Sequence, residues 1–98
     1  MDVFVNVIRQ GSHVLVAACD ADLLGKTLKF GEVDFTIREE FYRGNLMDVH
    51  GAIDVVKTST IANLVGTAVV RCALEAGVVH PQAVLDISGV PHAHVVRM

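Results

Sequence analysis

Apolar residues fill two early runs, Val3 to Ile8 and Val14 to Cys19, separated by Gln10-Gly11-Ser12. Both runs are rich in valine and short, and a glycine sits in the gap, so the pattern predicts a β-hairpin. Val3, Val5 and Val7 fall on one face of the first run and Phe4 and Ile8 on the other, broken by Asn6. Strands apolar on both faces are covered on both faces. Glu32 to Arg38 alternates cleanly, with Val33, Phe35 and Ile37 one way and charged or hydroxyl residues the other, as a half-exposed strand does. Arg43-Gly44-Asn45 then reads as a turn.

The period changes after Asp48, a favourable N-cap. Val49, Ala52, Ile53 and Val56 follow at helical spacing. A second helix is predicted from Thr60, with a stripe running through Ile61, Leu64, Ala68, Cys72 and Ala76 and ended by Gly77. Val84 to Ile87 is a short strand, Ser88-Gly89-Val90-Pro91 a break, and Ala93 to Arg97 a resumed strand. The expected architecture is one α+β domain over residues 1–98. Its sheet is mainly antiparallel, and two helices pack on one face.

Composition narrows the functional classes. The chain has 98 residues, 52% of them hydrophobic, no Trp and a net charge of −3. A size of this order supports one modest core. The acidic balance argues against a broad DNA-binding footprint. Two cysteines make no disulfide framework. The amino-terminal stretch MDVFVNVIRQ turns polar too early for a signal peptide, and no apolar run reaches membrane-spanning length. The expectation is a cytoplasmic protein with reduced thiols and no membrane partner.

CDADLLGKT, residues 19–27, ends in Gly-Lys-Thr after a strand-like run, which raises the question of a phosphate-binding loop. The spacing excludes one. The glycine required five residues before Gly25-Lys26 is Asp20, and Asp22 adds a second acid inside the would-be cradle. The plainer reading makes Cys19 a buried thiol and Asp20 the cap of a short helix over Ala21 to Gly25. The chemical reading makes Cys19 a nucleophile with His92 as base and Asp20 or Asn63 as orienting group. His92-Ala93-His94 has a period of two, so on a strand both imidazoles face one side. With Cys19 and Asp20 they compose a candidate zinc set. Cys72 reads as a small buried hydrophobe, and His50, His80 and His13 as surface residues. Asn63, Thr67 and Arg71 form a polar line on the second helix around Gly66. A mid-helix glycine costs about 1 kcal/mol and permits close backbone approach.

CDADLLGK, TIANLVG and GVPHAHVVRM together resemble the signature blocks of a small archaeal family, the domain of unknown function 424. The likeness includes Cys19, Asp20, Gly25, Lys26, Phe41, Tyr42, Asn63, Gly66 and His92. His94 stands where the family pattern has glutamine. The resemblance implies an archaeal cytosolic protein with a faint link to RNA or translation, and it implies no reaction or cofactor. The leading expectation is a small module that binds a partner protein, RNA or small ligand in a cleft built from Asp20, Lys26, Asn63, Gly66 and His92. The alternatives are the Cys19–His92 enzyme, metal binding through Cys19, Asp20, His92 and His94, and a homodimer paired through valine-rich strands.

Overall fold

A computed structural model describes residues 1–97; Met98, the end of the third signature block, lies outside the described residues. Among the described residues eight strands form two sheets, accompanied by three α-helices. The larger sheet has the order β5-β1-β2-β6-β8-β7, and the smaller is the hairpin β3-β4. Strands β1 (Asp2–Gln10) and β2 (His13–Asp20) form the expected hairpin, with Gln10 opposite His13. Gly11, at φ +61°, supplies the left-handed conformation that a two-residue hairpin loop needs at its first position. β7 (Val84–Ile87) and β8 (Val90–Val96) make a second hairpin. Both of its loop residues, Ser88 and Gly89, have positive φ, the requirement of a type I′ turn. Pro91 therefore lies inside β8 and does not break it.

The architecture is α+β with a mainly antiparallel sheet. The stretch predicted as the first half of the second helix is a strand, β6 (Ile61–Val65), at the sheet centre. It pairs in parallel with β2 and antiparallel with β8. Its Ala62 and Leu64 are buried on one face and Val65 on the other. Burial on both faces erases the period-two signal, so the apolar spacing also matches a helix. Gly66 is the joint between β6 and the helix α3 (Thr67–Glu75), not a mid-helix residue. The polar line Asn63–Thr67–Arg71 is thereby split between a strand and a helix.

α2 (Val49–Val56) and α3 cover one face of the sheet. Asp48 caps α2 as expected, its Oδ2 accepting from the His50 N–H at 3.0 Å. Ala52, Ile53 and Val56 of α2 and Val69, Val70 and Ala73 of α3 bury against Val3, Val5, Val16, Ala18 and Leu64. Alternation along the strands sends Cys19, Val65 and Ala17 to the opposite face, with Phe4 half-buried beside them. That second core is capped by a region of which the periodicity shows only the strand over Glu32 to Arg38. β3 (Thr27–Phe30) and β4 (Val33–Thr36) pair with each other, apart from the main sheet. Ile37 and the short helix α1 (Glu39–Tyr42) then return the chain to the edge strand β5 (Asn45–Asp48), which pairs with β1. The predicted strand over Glu32 to Arg38 is thus shorter, because Ile37 leaves the ladder to bond Gly25 and Lys26. Among the described residues no helix is long and apolar enough to cross a membrane.

Registers align side chains into rows across the second face. One row runs Phe4–Cys19–Val65–His92 and lies largely beneath the β3-β4 flap. The next runs Asn6–Ala17–Asn63–His94.

Candidate functional site

The CDADLLGK stretch is a structural joint. Asp20 is 7% exposed. Its Oδ2 accepts from the Ala68 N–H at 2.9 Å and its Oδ1 from the Val69 N–H at 3.0 Å. It therefore caps α3, 48 positions away, and makes no side-chain cap at the 3-10 turn Ala21–Leu23. This corrects the expected local cap. A carboxylate between two free N–H groups at a helix start gains from both hydrogen bonding and the helix dipole. Gly66 makes room for it. A Cβ there would stand 2.3 Å from Asp20 Cγ, and the Gly66 φ of +124° is a conformation side chains rarely adopt. The Gly66 N–H bonds the Pro91 carbonyl at 2.9 Å, which joins the second and third signature blocks.

Cys19 is fully buried. Burial pushes its thiol up to about 12, and the charges of Asp20 and Asp22 add to the rise. Such a thiol is protonated at neutral pH, the reverse of an activated nucleophile. His92 shares its row but stands beyond Val65, two strand spacings away, or roughly 9.5 Å along the hydrogen-bonding direction. Parallel side chains over that span form neither a nucleophile–base pair nor a shared metal site. Among the described residues no group of three or more His, Cys, Asp or Glu is arranged to hold a metal ion. Lys26 is exposed, and its backbone N–H and carbonyl bond Leu23 and Ile37.

Asn63 and His92 do converge. They line a groove of about 330 Å³ whose other walls are Phe35, Thr36, Arg38, Phe41 and Tyr42. Asn63 and His92 rise from neighbouring strands β6 and β8, while the flap and α1 supply the aromatic wall. Phe35 meets the His92 ring edge-on at a centroid distance of 5.3 Å. Phe41 and Tyr42 make a second edge-on pair at 5.0 Å. The Phe41 carbonyl accepts from Asn6 Nδ2 at 2.9 Å, which fixes α1 to β1. Desolvation first and the neighbouring His94 second lower the His92 pKa from its ordinary 6.5, so the ring is neutral at pH 7. Burial, with a smaller contribution from Cys19, pushes the Tyr42 hydroxyl up to about 12. The groove thus offers an amide, a neutral imidazole, a phenol and an exposed guanidinium among aromatic rings. Phe35 and Arg38 were not among the sequence candidates, since only the flap's placement over the sheet brings them to Asn63.

Two further residues differ from expectation. Cys72 is half-buried, and its Sγ lies 3.5 Å from His50 Nδ1. Arg71 faces a separate pocket with them on the helical side. Asp20 lines a third hollow with Asp22, Thr67 and Val90.

The fold and groove define a small α+β protein in which one mixed sheet carries helices on one face and a β-hairpin flap on the other. The chain belongs to the DUF424 family, described as a protein of unknown function, whose model matches residues 8–98. Its fold is similar to the crystal structure of an uncharacterized conserved protein from Methanopyrus kandleri, at 27% identity and a TM-score of 0.83. That likeness covers 100% of this chain and 95% of the other. No curated protein matches.

Proposed function

We propose that this is a cytosolic binding module whose groove takes a nucleobase, carried by a free nucleotide or by an unpaired RNA end. The observation that supports the reading is the convergence of Asn63, His92 and Arg38 on one aromatic-walled groove of about 330 Å³. That volume is at the small end of ligand sites and suits one ring system with a short substituent. Asn63 offers a donor and an acceptor side by side, the pattern that reads a base edge. Phe35, Phe41 and Tyr42 supply the apolar contact that holds a flat ring. Arg38 is exposed at the rim, where a guanidinium meets a phosphate in a planar fork. The chain's charge of −3 suits one nucleotide or an unpaired end better than a duplex. Two free cysteines are in keeping with a reducing compartment.

The test is an NMR titration of the His92 and Asn63 side chains with the four ribonucleoside monophosphates, their nucleosides and a short unpaired oligoribonucleotide. Saturable shifts confined to the groove are expected, and one base should be preferred. Asn63→Ala should weaken binding tenfold or more, since a bidentate base contact is worth about 1–3 kcal/mol. Arg38→Ala should weaken the phosphorylated ligands and leave the nucleosides unchanged. Tighter binding of the oligomer than of any monomer identifies RNA as the source. Absence of groove shifts at millimolar ligand refutes the reading, as does binding that survives Asn63→Ala.

A further inference from the structure

One wall of the groove carries a polar atom that nothing in the fold bonds. Tyr42 is 4% exposed and packs with Ala17, Cys19, Ile37 and Val65 in the second core. Its ring meets Phe41 edge-on, and its hydroxyl makes no hydrogen bond among the described residues. Polar side chains elsewhere in the interior are satisfied. Asp20 accepts from Ala68 and Val69, Ser59 donates to the Val56 carbonyl, and Asn6 donates to the Phe41 carbonyl. Among the described residues every fully enclosed side-chain nitrogen or oxygen has a partner. The unpaired Tyr42 oxygen therefore reaches open space, and the space that Tyr42 lines is the groove. Asn63 and His92, half-buried on β6 and β8, also keep their side-chain polar atoms unpaired among the described residues. A largely buried polar group without a partner lowers stability unless a ligand supplies the missing bond.

Given the nucleobase reading of the groove, on which this rests, we infer that Tyr42 determines which base is accepted: its hydroxyl donates to a carbonyl oxygen on the inner edge of the ring, so the ligand class is the oxo bases. The balance of donors selects that class. Tyr42 brings one O–H, the neutral His92 one N–H and Asn63 two. Against them stand the Asn63 oxygen and the unprotonated His92 nitrogen as acceptors. Burial holds the Tyr42 proton up to about 12, so the phenol is a donor at any working pH. A carbonyl oxygen has two lone pairs for such a wall, whereas an exocyclic amino group sets donors against donors. The ring N–H beside that carbonyl in hypoxanthine, guanine or uracil suits the Asn63 oxygen. Adenine and cytosine present the reverse, an amino group beside a ring acceptor, and would leave the Tyr42 hydroxyl unpaired.

The experiment compares ligands that differ at that edge. Inosine monophosphate is set against adenosine monophosphate, and uridine monophosphate against cytidine monophosphate, each titrated into the full chain and into Tyr42→Phe. The oxo member of at least one pair should bind about tenfold tighter or more. Tyr42→Phe should remove most of that difference and leave the amino member's affinity little changed. Thermal unfolding without ligand gives a readout that does not depend on the nucleobase reading. Tyr42→Phe keeps the ring and deletes the hydroxyl alone, so the midpoint should be unchanged or higher. A lower midpoint overturns the inference, because the hydroxyl would then have a partner within the fold. So does a preference for the amino bases, or an oxo preference that survives Tyr42→Phe. If no nucleotide binds at all, the groove reading falls and this one with it, whereas binding without discrimination overturns the role of Tyr42 alone.

Discussion

Gly66→Ala places a methyl where the Asp20 carboxyl group stands. The new Cβ would lie 2.3 Å from Cγ and 2.6 Å from each carboxylate oxygen, so the carboxylate must leave its place over α3. Two costs follow. One is the lost cap. Removing an Asp cap costs about 0.5–2 kcal/mol, and a buried N–H left unpaired costs about 1–3 kcal/mol. Val69 is fully buried, so roughly 2–4 kcal/mol is the combined expectation for the cap. The other is backbone strain at φ +124°, worth about 1–3 kcal/mol for a residue with a side chain. Asp20→Ala suffers the first cost alone. The double variant suffers each cost once, because the clash and the cap concern the same three carboxyl atoms. Its stability should therefore equal that of Gly66→Ala within about 0.5 kcal/mol, a coupling of roughly 2–4 kcal/mol. Urea unfolding of the four proteins, followed by far-ultraviolet circular dichroism, measures the cycle. A domain of this size has about 5–15 kcal/mol in hand, so the single variants remain measurable, with sucrose added where needed. Additive losses would refute the reasoning, since they would mean that Asp20 and Gly66 act independently.

Other expectations concern ionisation. Cys19 titrates near 12 instead of its ordinary 9.0, and Tyr42 near 12 instead of 10.0. Both groups keep their proton longer folded than unfolded, so their contribution is complete below pH 9 and is lost as pH rises toward 12. Unfolding free energy should fall over that window, and in Cys19→Ala the fall should begin about one unit later. His92 behaves oppositely: its folded pKa lies below 6.5, so its contribution is present above that pH and lost as pH falls. Proton NMR should find His92 titrating below 6.5 and His94→Ala moving it upward; an unshifted His92 would contradict the burial argument. In the native protein a thiol reagent should modify Cys72 and spare Cys19, and denaturant should release the second thiol.

The sequence is legible where one face of an element is wet. The β1-β2 hairpin, the Asp48 cap and the β7 strand are readable because polar residues, turn chemistry and caps bound them. β6 is not, because Ala62, Leu64 and Val65 are buried on both faces and spaced as a helix would space them. α1 and β5 are four residues each, too short for any period to register. The site was legible in part. Asn63 and His92 line one groove because the β6-β8 register sets them on neighbouring strands. Asp20 and Gly66 also meet, in a helix cap that no local spacing reveals, since the N–H groups Asp20 accepts from, those of Ala68 and Val69, lie 48 and 49 positions away. Phe35 and Arg38 belong to a flap that leaves the main sheet, and alternation alone does not say which surface a flap covers.

The parallel pairing of β2 with β6 has a consequence for the order of events during synthesis and folding. Every other ladder in the main sheet except β1-β5 and β6-β8 closes through a two-residue turn, and such hairpins form in microseconds. The β2-β6 seam must bring together residues such as Val14 and Thr60, 46 positions apart, before it gains anything. With β1-β5, whose Asp2 and Asp48 are equally far apart, it belongs to the slow, high-contact-order part of folding. Asn63 is positioned by that seam, and His92 by β8, which follows both hairpin strands and the flap in the chain. A nascent chain therefore has its hairpin and flap early and no groove at all until β8 docks. The proposed ligand site is thus a late feature of folding: only a molecule with β8 docked on β6 holds Asn63 and His92 in one groove.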